Sequence, residues 1–204
     1  MIKPFFIGFA GGSGSGKTTL AQALNQRLGN NRTTILCLDW YYNDIQKQPK
    51  SADGSVNFDH PSALDQELLA DHLERIKRGE NVDAPIYDFE THRRLKTTRR
   101  ILNRQTILIE GLHTLSLDMV RQMLDLKVFI DLADDIRFIR RLLRDQSERR
   151  RSVATVINQY LTTTRPIHLE SILPSRQFAD VVICAQKSVS EMTQEVIDQL
   201  KIKR

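Results

Sequence analysis

Gly11, Gly12, Ser13, Gly14, Ser15, Gly16, Lys17 and Thr18 satisfy the pattern G-x-x-x-x-G-K-[ST] at every constrained position, and Thr19 follows them. A chain with so few Cβ atoms can wrap tightly and aim successive N–H groups at a polyphosphate. The helix expected after it presents the positive end of its dipole to the same charge. In such a loop Lys17 reaches the β and γ phosphates and the Thr18 hydroxyl takes a place on Mg2+. A flexible Gly/Ser linker would need neither Lys-Thr in register nor ordered flanks. Two carboxylates are placed to join this chemistry. Asp39 follows the apolar run 34–38, and Glu110, with Gly111 after it, closes the run 106–110. Asp39 suits a partner of hydrated Mg2+ or a base that accepts the proton of an attacking hydroxyl. Its position alone equally fits a loop acid or a helix cap. Glu110 suits Mg2+, which prefers oxygen ligands and keeps waters that a carboxylate can hold.

Further along, Tyr87, Phe89 and His92 combine ring faces with an edge that can hydrogen-bond, as a pocket for a base would require. A half-buried β edge with a surface histidine would look the same. Asp59 and His60 precede Pro61 and suit a helix entry as well as a ligand contact. Arg137, Arg141 and Arg144 fall at i, i+4 and i+7, so one helical face offers three guanidinium groups. Such a face is usually solvated. Beside a phosphate site it can instead stabilise the charge that builds during phosphoryl transfer. Arg149, Arg150 and Arg151 extend the cluster.

The elements that must position these residues are legible as runs. Residues 5–10 read as a buried strand before the Gly-rich loop, and Leu20, Ala21, Ala23, Leu24 and Leu28 repeat at helical spacing after it. Residues 34–38, 106–110, 126–131 and 179–184 supply four more apolar strands. Asp39 then stands at the carboxyl end of a strand, where open parallel sheets bind ligands. The polar stretch 43–56 reads as an exposed, mobile connection. Ser62 is expected to open a helix with Leu64, Leu68, Leu69, Leu73 and Ile76 on its apolar face and Gly79 at its end. The alternation at 86–90 suits a hairpin strand, with the basic segment 93–100 solvated beyond it. Ile136, Ile139, Leu142 and Leu143 are expected to pack the arginine helix. A further helix over 152–165 is expected to end at Pro166, with Val153, Val156, Ile157, Tyr160 and Leu161 inward. Strands alternating with helices point to an α/β fold, a three-layer α/β/α arrangement on a five-stranded parallel sheet.

The 204 residues suit a single domain over 1–204, with an insertion at about 40–100 and an arginine-rich lid at about 137–165. A net charge of +5 suits a polyanionic ligand and nucleic acid alike. Against a GTP switch, the chain has neither D-x-x-G nor N-K-x-D. Against single-strand binding, it lacks an aromatic-basic repeat. Cys37 and Cys184 read as reduced core thiols of a cytoplasmic protein. No run is long enough for a membrane span.

Taken together, these motifs resemble the uridine kinase (uridine-cytidine kinase) family of P-loop kinases, a branch that also contains phosphoribulokinase. The resemblance runs from about Phe5 to Ile183. It rests on GGSGSGKTT at 11–19, Asp39 and Tyr42 as Asp-x-x-Tyr, NFDHP at 57–61, PIYDFETH at 85–92, IEG at 109–111, the arginine helix, and the run from Gln159 to Asp180. It implies a P-loop NTPase-type fold with a substrate hairpin and a helical lid. It implies ATP as donor, with GTP as an alternative, Mg2+ as cofactor, and uridine, with cytidine, as the nucleoside phosphorylated at its 5′-hydroxyl. Asp39 is then the general base and shares Mg2+ with Thr18 and Glu110. Asp59, with Arg141, grips the ribose hydroxyls. Tyr87, Phe89 and His92 form the pyrimidine pocket, Tyr42, Arg151 and Gln159 make further acceptor contacts, and Arg144 and Arg149 close on the phosphates. A homo-oligomer is also implied, with no nucleic-acid or membrane partner. Three departures stand out. Leu112 and His113 follow the acid-glycine pair as in phosphoribulokinase, which keeps a sugar phosphate or other small alcohol open as acceptor. Arg150 replaces the lid glycine, and Cys184, Ala185, Gln186 and Lys187 replace a Pro-Arg-Gly-Gly-like stretch.

Overall fold

A computed structural model describes residues 3–51 and 54–203. Its centre is a five-stranded sheet of β1 (Phe5–Ala10), β2 (Thr33–Cys37), β5 (Thr106–Glu110), β6 (Leu126–Asp131) and β7 (Val181–Cys184). The spatial order is β2-β5-β1-β6-β7, and every pairing is parallel. All five apolar runs expected to form strands do so. They read as continuous hydrophobic stretches because both faces of the sheet are covered. Side chains of β1 alternate: Phe6 and Ala10 join one core layer, Ile7 and Phe9 the other.

Helix α1 (Lys17–Leu28) and α7 (Val189–Lys203) cover the second of these faces through Leu20, Leu24, Met192, Val196 and Leu200. The first face is covered by α2 (Gln66–Lys77), whose Leu69, Leu73 and Ile76 are buried with Tyr41. The start of α2 differs from the expectation. Residues 61–63 form a separate 3-10 turn, and Asp65, not Ser62, caps the helix by accepting from Leu68 N at 3.0 Å. Leu64, extended at φ −89° and ψ 143°, separates that turn from the helix.

Strands β3 (Val82–Asp88) and β4 (Arg93–Ile101) form an antiparallel hairpin outside the main sheet. The basic segment is therefore its second strand. Most of its side chains are exposed, but Arg94 reaches inward. Arg94 donates to Tyr41 O and Tyr42 O and pairs with Asp65, while its backbone N–H donates to Asp44. Those bonds hold the hairpin against the segment that carries Asp39. The connection 43–56 is more tied down than its composition suggests: Ile45–Lys47 form a 3-10 turn, Gln48 is buried, and Lys50 bridges to Val56. Ala52 and Asp53 of that stretch lie outside the described residues.

After a short α3 (Asp118–Arg121), α4 (Asp134–Arg149) turns the expected packing around. Its buried residues are Arg137, Arg141 and Asp145, whereas Ile139 and Leu143 are 54% and 61% exposed. Ile136 packs against the core as expected, but the fully buried face of the helix is polar and is held by hydrogen bonds and ion pairs. The chain continues as α5 (Val153–Gln159), capped by Ser152, through a π-helical turn at Tyr160–Thr164, then α6 (Arg165–Ile167) and a second π turn at His168–Ile172. Pro166 does not end it. A proline ring would press on the carbonyl four residues back in a regular helix, and the wider turn, in which Arg165 N–H bonds Tyr160 O, relieves that contact. Of the side chains expected inward on this segment only Val156 is fully buried, while Val153, Ile157 and Leu161 are exposed. Cys184 is exposed at the carboxyl end of β7, and Cys37 is half-buried. No described helix is long and apolar enough to cross a membrane.

Candidate active site

The Gly-rich loop leaves the carboxyl end of β1 and enters α1 at Gly16, whose φ of 98° places it in the left-handed region that glycine adopts freely. Ser15 N–H donates to Gly12 O at 3.1 Å, closing a tight turn. A Cβ on Gly12 or Gly14 would run into the Arg137 guanidinium or carbonyl. The loop therefore needs glycine for close approach as well as for conformation. Lys17 Nζ donates to Gly11 O and Gly12 O at 3.0 and 3.1 Å. Burial lowers its pKa, opposed by the charges of Glu110 and Asp39.

Thr18 Oγ1 donates to Glu110 Oε1 at 3.2 Å, which joins the loop to the end of β5. Burial, and then the charge of Asp39, raises the Glu110 pKa. Asp39 stands on a 3-10 turn, Leu38–Tyr41, directly after β2. Two carboxylates thus converge beside a lysine and a threonine hydroxyl. Among the described residues no group of three or more His, Cys, Asp or Glu could hold a metal alone. That donor set fits Mg2+, which typically takes one or two carboxylates and completes its shell with water and substrate phosphates.

A cleft of about 690 Å3, including its open mouth, extends from this cluster. Ser13, Gly14, Lys17, Thr18, Asp39 and Glu110 line it together with an aromatic cluster of Tyr42, Phe58, Tyr87, Phe89 and His92. Asp59, Arg141, Arg144, Arg149, Arg151 and Gln159 also line it. The sequence-derived acceptor and catalytic residues all meet in this one cleft. Of the loop residues, Gly16 and Thr19 border a wider opening that also shares Lys17, Asp39 and Glu110. Gly11, Gly12 and Ser15 border neither cavity; Ser15 is buried, and its hydroxyl has no partner among the described residues.

The aromatic cluster is built by contact between rings. Tyr42 and Tyr87 centroids lie 5.3 Å apart, Tyr87 and Phe89 5.2 Å, and Phe58 stacks on His92 at 4.5 Å. His92 sits at φ 55° in the hairpin turn, and its carbonyl accepts from Ile45 N–H. Burial, then the nearby charges of Arg151 and Arg149, lowers its pKa. A neutral ring offers one donor and one acceptor nitrogen, the pair needed to read a heterocyclic edge. Phe58, inside NFDHP, was not singled out from the sequence as a pocket wall.

The arginines divide. Arg137 leaves the cleft and props the loop from behind, donating to Leu132 O at 3.0 Å and to His168 Nε2 at 2.9 Å. Arg141 donates to Ser13 Oγ at 3.1 Å and to Gln159 Oε1 at 3.0 Å, and approaches Asp59 Oδ1 at 3.8 Å. Arg151 shares Gln159 Oε1 at 2.9 Å. Beneath them lies Asp145, wholly buried and paired with Arg144, Arg149 and Arg151. Sequence reading missed it, although an acid directly after Arg144 in so basic a helix is a visible signal. Arg149 lies 4.6 Å over the Phe89 ring and Arg150 is 3.9 Å from Glu90, so the end of α4 reaches the hairpin turn. Arg150 takes φ 52°, the conformation that a glycine would adopt without strain.

His113 does not line the cleft. It is buried, with Nε2 donating to Asp59 O at 2.8 Å and Nδ1 accepting from Ser116 Oγ at 2.8 Å. The neighbouring Leu112 contributes to the wall.

Residues 6–191 match the Phosphoribulokinase / Uridine kinase family model. The chain is 48% identical over 179 residues to a protein named uridine kinase from Chloroflexus aurantiacus, covering 88% of this chain and 86% of that one. A uridine kinase from Clostridium botulinum is 43% identical over 183 residues, covering 90% and 89%. The fold is also that of a possible uridine kinase from Bacillus stearothermophilus, at a TM-score of 0.65 and 22% identity over 90% of both chains. By the extent of the family match and by these identities, the chain belongs to the phosphoribulokinase / uridine kinase family.

Proposed function

We propose that this chain is a cytoplasmic nucleoside kinase of pyrimidine salvage that transfers the γ-phosphoryl group of ATP to the 5′-hydroxyl of uridine, and of cytidine. One observation carries this reading: a single cleft is lined both by the Lys17–Thr18 loop with Asp39 and by an aromatic cage around His92. The printed names of the relatives support uridine as acceptor.

In this reading the backbone amides of residues 11–16 cradle the triphosphate, and Lys17 leaves its loop carbonyls for the β and γ phosphates. Thr18 and Glu110, with Asp39 nearby, hold Mg2+, which neutralises charge on the phosphoryl oxygens. Asp39 orients the 5′-hydroxyl and accepts its proton. Asp59 and Arg141 take the ribose hydroxyls, with Gln159 and Arg151 beside them. Tyr42, Tyr87, Phe89 and His92 hold the base, and Arg144 and Arg149 stabilise the charge of transfer. The apolar side chains exposed on α4 and the lid, Ile139, Leu143 and Leu161, support a homo-oligomer. GTP remains an alternative donor.

An acceptor panel with ATP and Mg2+, scored by ADP release, tests the reading. Uridine and cytidine should support turnover. A sugar phosphate supporting it while uridine does not would transfer the reading to the phosphoribulokinase side of the family. His113 lends that outcome no support, because both of its ring nitrogens are engaged away from the cleft.

A further inference from the structure

Asp59 is 6% exposed and is held from three directions. Its carbonyl accepts from His113, its backbone N–H donates to Asn57 Oδ1, and its side-chain Oδ2 lies 2.9 Å from Thr163 Oγ1 and 2.8 Å from Thr164 Oγ1. Consecutive residues of a regular helix point about 100° apart. Two neighbouring hydroxyls reach one carboxylate oxygen here because 160–164 form a π turn. The same two hydroxyls lie 2.9 and 3.4 Å from Gln159 O, a carbonyl that the wider turn displaces from the regular ladder. Each hydroxyl has one proton, and a carboxylate only accepts, so Asp59 Oδ2 and Gln159 O draw on the same two donors. The other carboxylate oxygen, Oδ1, is left toward Arg141.

From this we infer that Thr163 and Thr164 are positioning residues for the acceptor: they fix the Asp59 carboxylate so that Oδ1 is presented to the hydroxyls of the sugar. The π turn carries a second consequence. Gln159, whose side chain holds Arg141 and Arg151, and the threonines, which hold Asp59, lie on one continuous stretch of the lid. Lid geometry and sugar recognition are therefore set together. The inference rests on the nucleoside kinase reading above, and its test separates the two.

The test measures steady-state kinetics with ATP, Mg2+ and uridine for the parent chain and for T163V/T164V, T163S/T164S and D59N. Valine keeps shape and removes the hydroxyl; serine keeps the hydroxyl. The uridine KM of T163V/T164V should rise about tenfold, the effect of losing hydrogen bonds to a charged group. Its kcat should stay within about threefold of the parent, its ATP KM should be unchanged, and T163S/T164S should restore uridine KM. Adding T163V/T164V to D59N should raise KM little further, because the threonines act through that carboxylate. If the double variant does not fold, T163V and T164V singly should each show part of the KM increase. Unchanged uridine KM in folded valine variants, or equal loss in serine and valine variants, would overturn the inference alone. A parent chain that turns over no nucleoside would overturn the functional reading, and the inference with it.

Discussion

Asp145 Oδ1 accepts from both Nε and Nη2 of Arg144, at 2.9 and 2.7 Å, while the carboxylate is wholly buried under the helix that carries both residues. Arg149 and Arg151 approach the same group, and Arg141 does so at 3.8 Å. The arginines that face the cleft are thus arranged around an internal anion. Burial raises the Asp145 pKa, but the arginine charges outweigh it and the net direction is down. Removing the anion leaves several guanidinium groups facing one another in a poorly hydrated place. D145A should cost about 3–5 kcal/mol of stability, the usual penalty for stranding a buried charge. Chemical denaturation measures it; a loss below about 1 kcal/mol would show that the pairing is not stabilising.

Asp39 carries the proton in the proposed reaction, so its loss should act on turnover and not on donor binding. D39N should lower kcat by about 10²-fold to 10⁴-fold, the ordinary contribution of a positioned base. ATP affinity by calorimetry should remain near that of the parent. A near-normal kcat would remove Asp39 from the role.

His92 meets Phe58 by stacking and Tyr87 at 3.5 Å. H92A should raise the uridine KM by about tenfold, with ATP KM unchanged, as expected for losing a ring contact and a directed hydrogen bond. An unchanged kcat/KM for uridine would take the base out of this pocket.

His168 predicts an acid limb in stability. Its Nε2 accepts from Arg137, which can only donate, so the imidazole is held neutral. Burial, then the charge of Arg137, pushes its pKa from 6.5 to about 4, against the opposing pull of Asp134 and Asp131; Lys17 adds to the lowering. The unfolded chain binds this proton at a higher pH than the folded chain does. Stability is therefore unaffected well above 6.5 and falls as pH drops from there toward about 4, at up to about 1.4 kcal/mol per pH unit. Denaturation midpoints between pH 7.5 and 4.5 should show this slope, and H168Q, whose amide oxygen can still accept from Arg137, should flatten it. His72 and His113, also lowered by burial, contribute in the same direction, so some slope should persist in the variant.

Much of the fold was legible because its signals are contiguous. Strand, loop and helix around Gly16 and Lys17 read directly, and Asp39 and Glu110 were found because apolar strands deliver them. What stayed hidden depends on partners far away in the chain. The Arg137–Asp145 face of α4 is buried by its ion pairs and hydrogen bonds, whereas periodicity assigns the interior to Ile139 and Leu143. Thr163 and Thr164 are unremarkable in a helix until the π turn swings both toward Asp59, and Pro166 marks a widened turn, not an end. Arg94 looks solvated among its basic neighbours, and only the fold of the hairpin over Tyr41 and Tyr42 gives it acceptors.

In the proposed reaction the cleft brings the γ-phosphoryl group of ATP to a 5′-hydroxyl held beside Asp39. Phosphorus NMR of the product from ATP, Mg2+ and uridine tests it most directly, with 5′-deoxyuridine as the paired acceptor. A single 5′-monophosphate from uridine, and no nucleotide product from 5′-deoxyuridine, is the expected result. Phosphate at the 2′ or 3′ position, or ATP hydrolysis indifferent to the nucleoside, would contradict it.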